Sequence, residues 1–413
     1  MTARRLTAVD AQMLWLSAAT PNDQFLLYAF GAPVDSGAAV AAVRDNAARC
    51  AALTVRVRDR GPWRYPVWEP CDVATDQFAV HDATTWPQVL AAVAALGHDQ
   101  VDAHVHPWRL HVFPGVDGIP RFDVGSVAVL QISHALADGQ RASALAARLF
   151  GRAGSLERVR PRPTRGFVRR SAAAARAHRR LVRDTDAGLV PPPAVSCPVL
   201  RSNTRPAGPV HLRTVVRHRD QLSGPTVTVA ALTAISAALS THLRERGDDP
   251  ARLGAEIPMA KPGVRQANNH FGNVGVGLYP DLPSERRAQA IAQDLHRRRR
   301  RVAHPAVAAQ DAAFAAVPAA LLRWGMGRFD PDQRSSTVAG NTVVSSVNRG
   351  RADLSFGGAP VELTAGFPAL SPMMGVTHGV HGIGDTVAIS VHAAESAIDD
   401  VDAYVERLAG ELG

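Results

Sequence analysis

Residues 124–139, VGSVAVLQISHALADG, decide the fold. The first ten residues are almost wholly apolar, which predicts a buried strand, and residues 140–149 follow with the spacing of a helix. His134 and Asp138 fall in the connection between them. Side chains at the end of a buried strand are held rigidly beside a cleft, and histidine can act as a base near neutral pH. The alternative is that Asp138 caps the helix and His134 is an ordinary turn residue.

Strand and helix patterns alternate on both sides of this stretch, which predicts a mixed α/β fold in two halves. The predicted strands are 25–30, 52–57, 110–114, 124–133, 211–216, 255–258, 341–346, 361–363 and 386–391. The predicted helices are 37–50, 87–96, 140–149, 226–246, 284–302 and a last one from about residue 399.

The composition changes between the two halves. Ten arginines lie between Arg158 and Arg183, and three prolines follow at 191–193. This composition is typical of a linker or crossover arm that is helical in its middle. We therefore predict an N-terminal subdomain at 1–155, an Arg/Pro-rich linker at 156–200 and a C-terminal subdomain at 201–413.

The net charge of +9 comes almost entirely from arginine, since Lys261 is the single lysine among 46 basic residues. Such a balance favours contact with an anionic partner, which includes phosphorylated cofactors, lipid headgroups and nucleic acid. The basic run 297–301 has no interleaved aromatic residues, so a solvated helix face explains it and no nucleic-acid partner is predicted.

Targeting and cysteine patterns favour the cytoplasm. Cys50, Cys71 and Cys197 form no C-x-x-C pair, and the N-terminal apolar stretch is interrupted by polar residues. No run reaches the ~20 apolar residues of a spanning helix, so any membrane or lipid-droplet contact is expected to be peripheral.

Several common catalytic motifs are missing from the sequence. It contains no G-x-S-x-G, no Walker A loop, no helix-opening G-x-G-x-x-G and no H-E-x-x-H. His104 and His106 alternate on one predicted strand, but no carboxylate or cysteine lies at ligand spacing, so no metal site is predicted.

Six stretches in order resemble the wax ester synthase/diacylglycerol acyltransferase (WS/DGAT) family, part of the superfamily of chloramphenicol acetyltransferase and condensation domains. SHALADG resembles that family's His-His-x-x-x-Asp-Gly motif. The full set is RLTAVDAQMLWL (5–16), HPWRLHVFPGVDG (106–118), SHALADG (133–139), TVTVAALTAISAALSTHLRERG (226–247), IPMAKPG with FGNVGVGLYPDLP (257–263 and 271–283) and VVSSVNRG (343–350).

The resemblance implies two similar chloramphenicol-acetyltransferase-like subdomains, with mixed sheets and helices, and an active-site tunnel at their interface. It implies acyl-CoA as co-substrate, no other cofactor, and a long-chain alcohol or diacylglycerol as acceptor. His134 would be the general base, and Asp138 a structural carboxylate that pairs with an arginine. Substrate and oxyanion contacts would come from the residues Gly139, Asn273, Ser346 and Asn348.

Four motifs depart from the family pattern. Ser133 replaces the first histidine, 106–108 reads His-Pro-Trp instead of Pro-Leu-Trp, 226–228 lacks the expected Asn-Asp, and Val274 replaces an arginine. A catalytically degenerate relative that binds acyl chains or CoA is therefore an alternative to an active acyltransferase. A basic nucleic-acid-binding protein is a further alternative, supported only by the charge.

Overall fold

The computed structural model describes residues 3–412, so residues 1, 2 and 413, the outer ends of the predicted subdomains, lie outside the described residues. The strands in chain order are β1 (Arg4–Arg5), β2 (Gln24–Phe30), β3 (Val55–Arg58), β4 (Val67–Pro70), β5 (Phe78–Val80), β6 (Trp108–Asp117), β7 (Val124–Ile132), β8 (Cys197–Pro198), β9 (Val210–His218), β10 (Gly254–Ala260), β11 (Phe271–Gly277), β12 (Thr337–Val338), β13 (Thr342–Asn348), β14 (Ser355–Phe356), β15 (Ala359–Gly366), β16 (Val376–Ile383) and β17 (Thr386–Ala394). The helices are α1 (Ala8–Ser17), α2 (Ser36–Ala48), α3 (Trp86–Leu96), α4 (Gly139–Leu149), α5 (Phe167–Asp186), α6 (Val227–Glu245), α7 (Ser284–Val302), α8 (Pro305–Phe314), α9 (Ala319–Met326) and α10 (Val401–Gly410).

The first of two six-stranded sheets has the order β14-β15-β2-β7-β6-β5. Its neighbours are antiparallel except for the parallel pair β5–β6. β7 is central, and every one of its residues after Val124 is buried, which explains its apolar sequence. Asp138 caps α4 directly after this strand, so the predicted strand-to-helix connection at residues 133–139 is confirmed.

The second sheet has the order β11-β10-β13-β16-β17-β9, with parallel pairs β10–β13 and β13–β16. α6 packs into the core of this second half, where Leu232, Ile235 and Leu239 are completely buried in one cluster with Val344 and Ile389. Burial of a leucine or isoleucine side chain contributes about 1.5–3 kcal/mol each, so this helix anchors the second half.

The two halves share strands and a core. β14 and β15 come late in the chain, yet β15 pairs with β2 of the first sheet. A third apolar cluster joins Leu27 and Val127 of the first sheet to Leu212 and Ala388 of the second. The mixed α/β fold with mixed sheets is therefore as predicted. The boundaries at residues 155 and 200 stay a prediction, and β14 and β15, which follow residue 200, lie in the sheet of the first half.

Candidate active site

The cavity that His134 lines, which we name the main cavity, lies between the two sheets and has a volume of about 390 Å³. The first half lines it with residues of β2 and α4, and the second half with residues of β10, β11 and β13. A cavity of this size at the junction of two halves has the volume expected of a small-molecule site.

His134 lies at this cavity, two residues beyond the end of β7. Its Nδ1 lies 2.8 Å from Oδ1 of Asn269, and its ring centroid lies 5.7 Å from that of Phe271. The side chain is half-buried and forms part of the cavity lining. Among residues 3–412, none forms a hydrogen bond to Nε2 of this histidine.

Asn269 is itself held in one orientation. Its Nδ2 donates to Oδ1 of Asp10 at 3.0 Å and to the main-chain oxygen of His134 at 2.7 Å. The amide oxygen therefore faces Nδ1 of His134 and can only accept, so the proton of the neutral ring is on Nδ1. The lone pair is then on Nε2, the nitrogen left free for a ligand.

Asp10 completes this chain of contacts from α1. Its carboxylate also accepts from the main-chain N–H groups of Asn268 and Asn269, at 3.1 and 3.0 Å. Burial raises the pKa of Asp10, and these hydrogen bonds oppose that shift. Asp10 therefore orients Asn269, and Asn269 holds the His134 ring through Nδ1.

Asp138 holds the loop and does not touch His134. Its Oδ1 accepts from the main-chain N–H of Arg141 at 2.9 Å, so it caps α4. Its Oδ2 accepts from Nη1 of Arg265 at 2.7 Å and from the N–H of His270 at 2.8 Å. Both interpretations of Asp138 from the sequence, helix cap and structural carboxylate, therefore describe its contacts, and Arg265 is the arginine that pairs with it.

The environment keeps the His134 ring neutral. Burial lowers the pKa of His134, while hydrogen bonds to its own main chain and to Asn269 and the charges of Asp138 and Asp10 act in the opposite direction with a smaller effect. A neutral imidazole with a free Nε2 can accept a proton from a hydroxyl group, which is what a general base requires.

Three of the four predicted substrate-binding residues lie at the cavity. Gly139, Asn273 and Ser346 line it; Asn273 donates to Glu256, and Oγ of Ser346 lies 2.8 Å from Oγ1 of Thr228. Asn348 lies apart, because β13 ends at this residue and its exposed amide accepts from the N–H of Gly350 at 2.9 Å. The structure therefore does not bring Asn348 to the site.

Several residues at or beside the positions that depart from the family pattern make defined contacts. Ser133 is buried, and its N–H donates to the oxygen of Pro107 at 2.9 Å. Trp108 is completely buried and donates through Nε1 to the oxygen of Leu53 at 2.9 Å. Thr228 supplies a hydroxyl beside Ser346 at the start of α6.

The sequence did not point to several polar residues of the site. Asp10, Arg265 and Asn269 support the loop from distant parts of the chain, and Arg349 and His381 line the cavity. Arg349 lies within VVSSVNRG and Asp10 within RLTAVDAQMLWL, but neither stretch marks these side chains as part of a site. Without a periodic pattern around them, the remaining positions carry no local signal.

No cluster of three or more His, Cys, Asp or Glu side chains suited to a metal ion occurs within the part of the chain that the structure covers. α6 is long and apolar enough to cross a membrane by length and composition, but most of it is buried in the second core, as expected of a core helix. α8 and α9 pass the same test only as a pair bent by 96°.

Comparisons with known proteins give one family match and several structural matches. Residues 268–413 match the family described as WS/DGAT C-terminal domain. No curated protein sequence matches the chain.

Among solved structures, the wax ester synthase/diacylglycerol acyltransferase from Marinobacter aquaeolei VT8 is similar over 99% of this chain and 98% of its own, with 18% identity and a TM-score of 0.64. A starter condensation domain of rhizomide synthetase, solved as a variant in complex with C8-CoA, is similar over 100% of this chain and 94% of its own, with 15% identity and a TM-score of 0.58. These likenesses confirm the predicted fold over the whole chain.

The cavity between two α/β halves, the histidine at its wall and the match of residues 268–413 agree with the resemblance seen in the sequence. Residues 268–413 match the WS/DGAT C-terminal domain family, and the whole length of the chain has the fold of the WS/DGAT and condensation-domain structures.

Proposed function

We propose that the protein is an acyl-CoA-dependent O-acyltransferase that transfers a fatty acyl group to a long-chain alcohol or a diacylglycerol. The observation that carries the proposal is the His134 ring, which is anchored through Nδ1 to Asn269 and leaves Nε2 free at a cavity between the two halves. The family match of residues 268–413 and the C8-CoA in complex with a structural neighbour support this substrate class.

In the proposed reaction, Nε2 of His134 takes the hydroxyl proton of the acceptor as its oxygen attacks the thioester carbonyl. The C–O bond forms, the carbonyl oxygen becomes an oxyanion, and collapse of this intermediate breaks the C–S bond. The imidazolium then returns the proton to the departing thiolate, which gives an ester and free CoA. The histidine ends neutral, so no acyl-enzyme is required.

The oxyanion needs a hydrogen-bond donor at the cavity wall. Ser346 is the residue we favour, because its hydroxyl lies in the cavity lining and is paired with Thr228 at 2.8 Å. When the Thr228 hydroxyl donates to Oγ of Ser346, the Ser346 proton is free to be donated to the substrate. Asn273 is the second candidate, although its amide donates to Glu256.

The test measures turnover of labelled acyl-CoA with hexadecanol or diolein, and both the release of the CoA thiol and the formation of the ester are monitored. We expect the wild type to be active and His134→Ala to lose about 10²–10⁴-fold in rate, the usual contribution of a general base. His104→Ala is the matched control, because His104 is an exposed histidine bonded to Asp102 and lies outside the cavity lining. Equal, background activity of wild type and His134→Ala with all acceptors would instead favour the degenerate relative that only binds acyl chains or CoA.

We also propose that the protein is cytoplasmic and meets anionic membrane or lipid-droplet surfaces through α5. Arg169, Arg176, Arg179, Arg180 and Arg183 of this helix are exposed. α5 packs on α8 with Ala174 and Leu181 buried, which leaves its arginine-rich face towards the solvent. Each basic residue near an anionic surface contributes about 1 kcal/mol to binding.

A further inference from the structure

A second cavity, of about 520 Å³, lies on the other side of α4. Residues 139, 140 and 143 of this helix line the main cavity, whereas Arg141 and Arg148 line the second one. At 3.6 residues per turn these two sets lie on opposite faces of the helix. The second cavity is therefore separate from the site at His134, and we name it the arginine cavity.

The lining of the arginine cavity is strongly positive. Five arginines contribute to it, namely Arg4, Arg49, Arg141, Arg148 and Arg158. Among the described residues of the lining, Glu157 is the single acidic one, and its carboxylate already accepts from Nε of Arg265 at 3.1 Å. The described lining thus carries several positive charges and no carboxylate that is free of another partner.

Two side chains in this lining are buried donors without an acceptor. Arg141 is 8% exposed and Trp68 is 3% exposed. Within residues 3–412, neither Nε of Arg141 nor Nε1 of Trp68 has a hydrogen-bond partner. Guanidinium and indole N–H groups can only donate, so the lining offers unused donors and lacks matching acceptors.

The charge of Arg141 is also poorly balanced. Its Nη1 donates to the main-chain oxygen of Glu157, at 3.3 Å. Burial lowers the pKa of Arg141, and the positive charges of Arg4 and Arg265 lower it further, against smaller effects of Asp10 and Asp138. A bound anion would supply the missing negative charge.

We propose that the arginine cavity binds the phosphate group of a phosphorylated small molecule. A phosphate carries up to two negative charges and several acceptor oxygens, and the fork of an arginine side chain matches its geometry. Arg141 lies at the buried inner part, and Arg49 and Arg158, which are exposed, lie at the mouth. The volume lies in the range of small-molecule sites, so it also leaves room for a larger group attached to the phosphate. The source is either free phosphate or a nucleotide such as the phosphorylated part of CoA.

Isothermal titration calorimetry on the full chain tests this proposal, with sodium phosphate, ADP, CoA and dephospho-CoA at constant ionic strength. We expect saturable binding of inorganic phosphate. If CoA binds more tightly than dephospho-CoA and the double variant Arg148→Gln/Arg158→Gln loses this difference, the site belongs to the 3′-phosphate of CoA. If that variant loses phosphate binding but binds CoA as the wild type does, the site belongs to free phosphate.

The double variant Arg148→Gln/Arg158→Gln should weaken this binding at least about tenfold, since each charged hydrogen bond is strong. Arg44→Gln is the matched control, because Arg44 is an exposed arginine of α2 outside the lining. This variant should bind phosphate as the wild type does. His134→Ala should also bind as the wild type does, which separates this proposal from the proposed transferase activity. Absence of saturable phosphate binding, equal affinity of the double variant and the wild type, or loss of binding in His134→Ala would each overturn it.

Discussion

Replacement of Asn269 by alanine should slow the proposed reaction without abolishing it. The variant removes the acceptor that lies 2.8 Å from Nδ1 of His134 and leaves that N–H in a buried environment. A buried donor without a partner costs about 1–3 kcal/mol. At about 1.36 kcal/mol for each factor of ten, kcat/KM should fall by about 5- to 150-fold. Without the acceptor, the ring also populates the tautomer with its proton on Nε2, which cannot act as the base.

The pH dependence of kcat/KM should also change in a defined direction in Asn269→Ala. A general base works when neutral, so kcat/KM should rise with pH through the pKa of His134, which burial places below its ordinary value. The hydrogen bond to Asn269 raises that pKa. Asn269→Ala should therefore move the rise in kcat/KM to lower pH and also lower its plateau. A residue that only stabilised the fold would change neither the midpoint nor the tautomer.

The measurement combines kcat/KM across the acidic and neutral range with ¹⁵N NMR of the imidazole of His134. Asn46→Ala is the control, because it removes an amide that lies outside the cavity, where it donates to the oxygen of Leu149 at 2.9 Å and accepts from Nη2 of Arg49 at 2.8 Å. An Asn269→Ala variant with wild-type kcat/KM and a wild-type tautomer would refute the reasoning. So would a loss as large as that of His134→Ala with the tautomer unchanged.

Three further predictions concern stability and surface binding. Asp138→Asn should destabilise the protein by about 1–3 kcal/mol in urea unfolding, since it removes the buried carboxylate partner of Arg265 and leaves only the more exposed Glu157; unchanged stability would mean that the pair is dispensable. Burial lowers the pKa of His378 to about 3, so the unfolded state takes up the proton first as the pH falls. This histidine alone should therefore reduce the free energy of unfolding by about 2 kcal/mol between about pH 6.5 and about pH 5. Urea unfolding of wild type and His378→Gln at both pH values measures the difference, and an equal change of stability with pH in the two proteins would contradict it. Arg176→Gln combined with Arg183→Gln should weaken co-sedimentation with anionic vesicles and leave the weak binding to neutral vesicles unchanged; full binding of this variant would count against a membrane role of α5.

The local order around the loop that carries His134 could be predicted from the sequence because its signals are local. The apolar run of β7, the polar connection and the amphipathic α4 all lie within residues 124–149. The predicted strand at residues 110–114 likewise lies in β6, which pairs with β7. Such patterns report burial, and burial follows directly from the alternation of apolar and polar residues.

β11 and β16 escaped prediction because glycines and histidines interrupt their apolar pattern. In β16, a Cβ added to Gly379 would lie 2.1 Å from the oxygen of Gly366, so β15 and β16 approach too closely for any larger side chain. His378 and His381 are buried in the same strand, where a sequence-based argument expects polar residues at the surface. The requirement for glycine at residue 379 comes from the neighbouring strand β15, so the local sequence carries no sign of it.

The support of His134 could not be predicted for a similar reason. Asn269 lies 135 residues from His134, Asp10 lies 259 residues from Asn269, and Arg265 lies 127 residues from Asp138. Only the folded chain brings these groups within hydrogen-bond distance. The resemblance to a family supplied the expectation of an arginine beside Asp138, and the structure identified it.

The placement of β15 next to β2 has a consequence for synthesis of the chain. When the ribosome has released the first 155 residues, β2 still lacks the neighbour that residues 359–366 provide. Its apolar edge stays open during translation of roughly 200 further residues, and open edges of this kind recruit strands from other molecules. Expression should therefore be most prone to aggregation when translation stalls or terminates between these two segments, and co-expressed chaperones should help most at that stage.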